Sequence, residues 1–175
     1  MDELHQLLCE VLNRHADANK WVDAPFEKIR RLPNTKVGDA GQDYIEEICL
    51  RFNLPILFPE GSGGKRSKQS PWDLEICGIK FELKTATEDV NKSFQFNHVR
   101  YARDYQALLC LGVGPANIYF DMWSKADVAT KKAGTLVSME KSGSASYKLT
   151  KRMNDLRPIM QFESKMRSFE RDFQH

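Results

Sequence analysis

The stretch S-P-W-D-L-E-I-C-G-I-K-F-E-L-K-T-A, Ser70 to Ala86, constrains the fold more than any other part of the chain. Cys77-Gly78 is a two-residue turn signal, with glycine suited to the positive φ that such hairpins require. A turn there pairs Ile76 with Ile79, Glu75 with Lys80, Leu74 with Phe81 and Asp73 with Glu82. Because side chains alternate along a strand, Leu74, Ile76, Ile79, Phe81 and Leu83 share one apolar face. Asp73, Glu75, Lys80, Glu82 and Lys84 share the other. Asp73 opposite Glu82 brings two like charges together, which a purely structural hairpin avoids. A hard divalent cation such as Mg²⁺ removes the conflict, because it takes one or two carboxylates and keeps several waters. Lys84 projects onto the same face. Two carboxylates, a metal and an ammonium group supply what phosphodiester hydrolysis needs: an activated water, charge neutralisation and leaving-group stabilisation. The same spacing also fits a solvated face laced by Glu75–Lys80 and Glu82–Lys84 charge pairs.

The remainder of the chain gives this hairpin its context. With 175 residues, 41% of them hydrophobic and three Trp and ten Phe among them, the chain is sized for one folded domain spanning 1–175. No run reaches the roughly 18 apolar residues of a membrane span. The amphipathic N-terminus lacks the basic start and cleavage site of a signal peptide, so a cytoplasmic protein without a membrane partner is expected. Cys9, Cys49, Cys77 and Cys110 are far apart and fall mostly in apolar runs, which suits reduced core residues better than a disulfide framework or zinc site. A net charge of +2 identifies no polyanion partner by itself.

Periodicity predicts helices from Leu4 to before Asn19, over Pro25 to Leu32 and over Gly41 to Phe52, together occupying 1–52. L-P-I-L-F suits a short strand. F-N-H-V-R-Y-A-R-D-Y reads as a helix, followed by two β-type runs, A-L-L-C-L-G-V and A-N-I-Y-F-D-M-W, around a Gly-Pro turn. A C-terminal helical segment over about 150–173 carries Ile159, Phe162, Met166, Phe169 and Phe173 as one stripe, spaced for the protein's own core or for a dimer interface. The expected fold class is α/β (α+β), a central mixed β-sheet flanked by helices.

These residues resemble the PD-(D/E)XK nuclease superfamily, and within it the type II restriction endonucleases and the related mismatch-repair nicking endonuclease. P-W-D at Pro71 to Asp73 stands for the first motif element and E-L-K at Glu82 to Lys84 for the second, with the proline one residue further from the aspartate than usual. The resemblance covers about 34–123, the expected catalytic core, and implies a restriction-endonuclease-like fold. It makes Asp73, Glu82 and the Leu83 carbonyl ligands of Mg²⁺, with Mn²⁺ as a substitute, and gives Lys84 the attacking water. K-V-G-D-A-G-Q-D-Y-I-E-E-I places Gln42 where the family often carries an acidic residue. Glu46, one turn along, reads as solvated helix surface.

The implied substrate is double-stranded DNA. Lys92, Gln95, Asn97, His98 and Arg100 surround the start of the expected post-hairpin helix, with side chains suited to phosphates or base edges, although His98 also fits a plain helix surface. Lys65, Arg66 and Lys68, in a glycine-rich loop, fit phosphate contacts or an idle loop. One centre cuts one strand, so a homodimer or a larger partner subunit is expected for a double-strand cut. The competing functions are a repair or junction-specific nuclease and a noncatalytic DNA-binding subunit.

Overall fold

A computed structural model of the chain describes residues 3–15, 19–61, 66–67, 70–140 and 146–173. Four α-helices are α1 (Glu3–His15), α2 (Asn34–Arg51), α3 (Lys125–Ala129) and α4 (Phe162–Phe173). The strands among the described residues are β1 (Ile56–Leu57), β2 (Leu74–Ile76), β3 (Ile79–Thr87), β4 (Ser93–Val99), β5 (Ala107–Val113), β6 (Ile118–Ser124), β7 (Leu136–Ser138), β8 (Tyr147–Arg152) and β9 (Arg157–Pro158). They form a six-stranded sheet in the order β1-β2-β3-β5-β6-β9 and a three-stranded sheet in the order β4-β8-β7. In the larger sheet β3 and β5 run parallel and the other pairs antiparallel. The expected mixed sheet flanked by helices is the fold observed.

Alternation along the strands separates two cores. From β3, Phe81 and Leu83 face one way and pack with Ile45 and Cys49 of α2 and with Phe162, Met166 and Phe169 of α4. The C-terminal stripe therefore covers the protein's own sheet. From β5, Leu108 and Cys110 face the other way and meet Phe94, Phe96 and Leu149 of the smaller sheet. Helices cover one face of the central sheet and the second sheet covers the other.

The hairpin has the expected register: Leu74↔Phe81, Glu75↔Lys80 and Ile76↔Ile79. Both turn residues have positive φ, 51° at Cys77 and 78° at Gly78, as a right-twisted two-residue hairpin demands. Cys77 thus lies in the turn and Cys9 is exposed, so only Cys49 and Cys110 are the buried thiols expected. Burial pushes the Cys49 thiol up to about 12.

Several helical expectations change. Pro25–Leu32 contracts to a 3₁₀ helix, Glu27–Arg31, and α2 begins seven residues ahead of Gly41, immediately after Pro33. The segment expected as a post-hairpin helix is strand β4 followed by turns. Phe94 and Phe96 alternate inward as a strand requires, and an extra residue before Val99 breaks the alternation. Residues 150–152 of the expected C-terminal helical segment belong to β8, and α4 starts only at Phe162.

Gly41 sets how closely α2 lies on β3. A Cβ built there falls 1.9 Å from the Thr85 hydroxyl oxygen. Gly41→Ala should destabilise the protein by about 1–3 kcal/mol through overpacking, with Thr85→Ala recovering part of the loss in the double variant. Denaturant unfolding measures both, and an unchanged midpoint for Gly41→Ala would mean that this approach imposes no constraint.

Candidate active site

The site lies where β2 ends and β3 continues. Asp73, one residue before β2, donates its N–H to the carbonyl of Phe81, the ladder partner of Leu74, at 2.9 Å. Its carboxylate Oδ2 accepts the Leu83 N–H at 2.9 Å. In an extended residue N–H and C=O share one edge, so the Leu83 carbonyl is directed to that edge too, beside Asp73.

Glu82 and Lys84 lie on the opposite face from Phe81 and Leu83, level with Leu108 and Cys110 of β5. The smaller sheet roofs that face, leaving Glu82 0% exposed. Its Oε1 is 2.7 Å from Lys84 Nζ, and the Arg100 N–H approaches both carboxylate oxygens at 3.4 Å. Burial raises the Glu82 pKa most, Lys84 pulls it down by attraction and hydrogen bonding, and the Asp73 charge adds to the rise. The Asp73 charge is thus felt at Glu82, although the observed ladder ends at Leu74↔Phe81 and does not include the expected Asp73–Glu82 pair. Lys84 remains 18% exposed and connects buried Glu82 to solvent.

A cavity of about 680 Å³ opens here, lined by Asp73, Leu83 and Lys84 from the hairpin and by Gln42, Asp39 and Asp43 from α2, among others. The close approach at Gly41 brings Gln42 in, and its Nε2 donates to the Asp73 main-chain carbonyl at 3.2 Å. Gln42 thereby positions Asp73. Asp73 also has a cation that sequence reasoning missed: Arg103 Nη1 lies 3.9 Å from its Oδ1. Reading that segment as a helix hid Arg103, which sits in the turn between β4 and β5.

Arg66 differs from the expected phosphate contact. Its guanidinium bonds Asp43 Oδ1 at 2.8 Å and Glu46, and stacks 3.7 Å from the Phe58 ring centre. Two carboxylates compensate its charge, so Arg66 fastens its loop to α2 at the rim of the cavity. Glu46 accordingly serves as an anchor and is not plain solvated surface. Lys65 and Lys68 lie outside the described residues.

The other expected DNA contacts lie on or beside β4, where the structure has a strand in place of the expected helix. Gln95, Asn97 and His98 are exposed on β4, while Lys92 and Arg100 flank its ends. Gln95, Asn97 and His98 border a second cavity of about 360 Å³.

No family model matches the chain, and no curated protein matches it in sequence. Among solved structures it is similar to a bacterial homing endonuclease, with 15% identity and a TM-score of 0.40, over 64% of this chain and 83% of that one. No helix among the described residues is long and apolar enough to cross a membrane.

A carboxyl whose pKa is raised by folding holds its proton more tightly in the folded state, so it costs stability as pH rises out of the ordinary carboxylate range. Glu82→Gln should therefore raise the unfolding midpoint at neutral pH, with the advantage vanishing below about pH 4. Thermal unfolding across pH tests this. A variant less stable than wild type at neutral pH would show that the Lys84 attraction outweighs desolvation.

Proposed function

We propose that this chain is a divalent-metal-dependent endonuclease that hydrolyses phosphodiester bonds in double-stranded DNA, with Mg²⁺ as its working ion. The observation that carries the reading is Glu82, a buried carboxylate 2.7 Å from the Lys84 ammonium, where Lys84 and a second carboxylate, Asp73, line an open cavity. Holding like charges together against desolvation costs free energy, and a purely structural site has no use for it.

The donor types suit a hard cation: Asp73 and the Leu83 main chain meet on one edge of the hairpin, and the Asp73 charge acts on Glu82 from there. When bound, Mg²⁺ supplies a water of lowered pKa and positive charge against the scissile phosphate. Lys84, as an ammonium group, donates the hydrogen bond that would orient the attacking water. Gln42 holds the Asp73 backbone in place, and Arg103 balances the Asp73 charge. The Lys84–Glu82 pair keeps both groups in position when no substrate is present.

A restriction-type cut of ordinary duplex DNA is the finer form of this proposal, made by a homodimer or with a larger partner subunit, since one centre serves one strand. Supercoiled plasmid incubated with purified protein and Mg²⁺ tests it. We expect nicked or linear product that EDTA abolishes and that Lys84→Ala slows by about 10²–10⁴-fold. Cleavage confined to mismatched or branched DNA would favour a repair enzyme. No metal-dependent cleavage, or a Lys84→Ala variant as fast as wild type, would sink the catalytic reading.

A further inference from the structure

The exposed side of β4 has features that the cavity chemistry does not use. Opposite β8, Phe96 pairs with Leu149 and Val99 with Tyr147, so Asn97 and His98 together face the single residue Lys148. This β-bulge puts His98 at a φ of 58°, a left-handed conformation that a non-glycine residue adopts only when its surroundings impose it. Here the surroundings are visible: the His98 N–H donates to Met139 Sδ at 3.2 Å, and its ring Nδ1 lies 3.4 Å from Ser146 Oγ. The bulge therefore holds two consecutive polar side chains, Asn97 and His98, in solvent where a regular strand would bury one of them.

The chemistry beside the bulge is that of amides. Gln95 Nε2 donates to Asp89 Oδ2 at 3.1 Å, which fixes the Gln95 side chain, whereas the Asn97 amide has no partner among the described residues. The adjoining cavity of about 360 Å³ is lined by no lysine or arginine, and its one charged lining residue is Asp89. Arg30 and Lys20 reach only its rim, at Thr87 and at the Asp89 carbonyl, so the lining itself offers a phosphate little counter-charge, whereas base edges offer the paired donors and acceptors that Asn and Gln match. Cations stand outside it: Lys92 and Arg100 flank the ends of β4, and Lys36 lies in the catalytic cavity. The two cavities flank the first turn of α2, with Asn34 and Val37 lining one and Lys36 and Gly38 the other.

We infer that the bulged face of β4 reads base edges of a DNA duplex, with Asn97 as the specificity-determining contact and His98 held beside it. The inference rests on the endonuclease reading for the placement of the duplex, with its backbone at the catalytic cavity and a groove over β4. The major groove is about 12 Å wide, and β4, the edge strand of the smaller sheet, presents its bulged residues at that sheet's rim. Asparagine matches adenine bidentately, so the preferred position is an A·T pair.

A binding selection from random duplex DNA, without cleavage, tests this on the full chain. Wild type should enrich a motif, and Asn97→Ala should lose preference at one A·T position by roughly tenfold while keeping the others. Thermal unfolding should be unchanged, because Asn97 is exposed. Lys92→Ala serves as the contrast, weakening binding to all sequences alike if it meets phosphate. A wild-type motif that Asn97→Ala retains in full, or no motif at all, would overturn the inference. Because the selection measures binding, a motif lost in Asn97→Ala would support base reading even if plasmid cleavage failed.

Discussion

Strand β3 meets two opposed demands at once, and the rest of the structure follows from how it does so. On one side Phe81 and Leu83 complete the core formed with α2 and α4. On the other, Glu82 and Lys84 emerge between the central sheet and the smaller sheet, where water is excluded from Glu82. A carboxylate in that position requires compensation, and its neighbours supply it in the Lys84 ammonium and the Arg100 N–H, while the Leu83 N–H compensates Asp73. Slipping the hairpin by one residue would exchange the two faces, placing charge in the core and phenylalanine in the cavity. The Cys77-Gly78 turn, with both residues at positive φ, prevents that slip.

How α2 lies on this strand decides what reaches the site. Gly41 against Thr85 allows an approach that any side chain would block, and the next residue, Gln42, then reaches the Asp73 carbonyl. Asp43, the next residue, and Glu46, one turn on from Gln42, grip Arg66. The acidic character of α2 near the cavity is thereby partly neutralised from within, with Lys36 also 3.2 Å from Asp39. A polyanion near this rim meets paired charges instead of bare carboxylates.

The hairpin was legible in the sequence because its signals are local: a turn dipeptide, strict alternation and a repulsive pair at a fixed offset. The run around β4 misled for an equally local reason. Phe94, Phe96 and Val99 are spaced by two and then by three, and the bulge at Asn97 and His98 turns strand alternation into something close to helical spacing. Reading a helix there hid Arg103 and gave the expected DNA contacts the wrong scaffold. The ion pairs of Arg66 join residues 20 and 23 positions apart, and the parallel pairing of β3 with β5 spans all of β4. Such contacts arise from tertiary packing and leave no periodic trace. The roof over Glu82 belongs to the same class, since β7 is only three residues long and β8 is largely polar.

Titration with Mn²⁺, followed by calorimetry and by the spin signal of the free ion, tests the central claim most directly, because it asks whether the hairpin holds a cation at all. Saturable binding to wild type that is lost in Asp73→Asn and in Glu82→Gln, with both variants folded, is the result predicted. Absence of saturable binding to folded wild type, or binding that both variants retain, would contradict the account of Asp73 and Glu82 as a metal-holding pair.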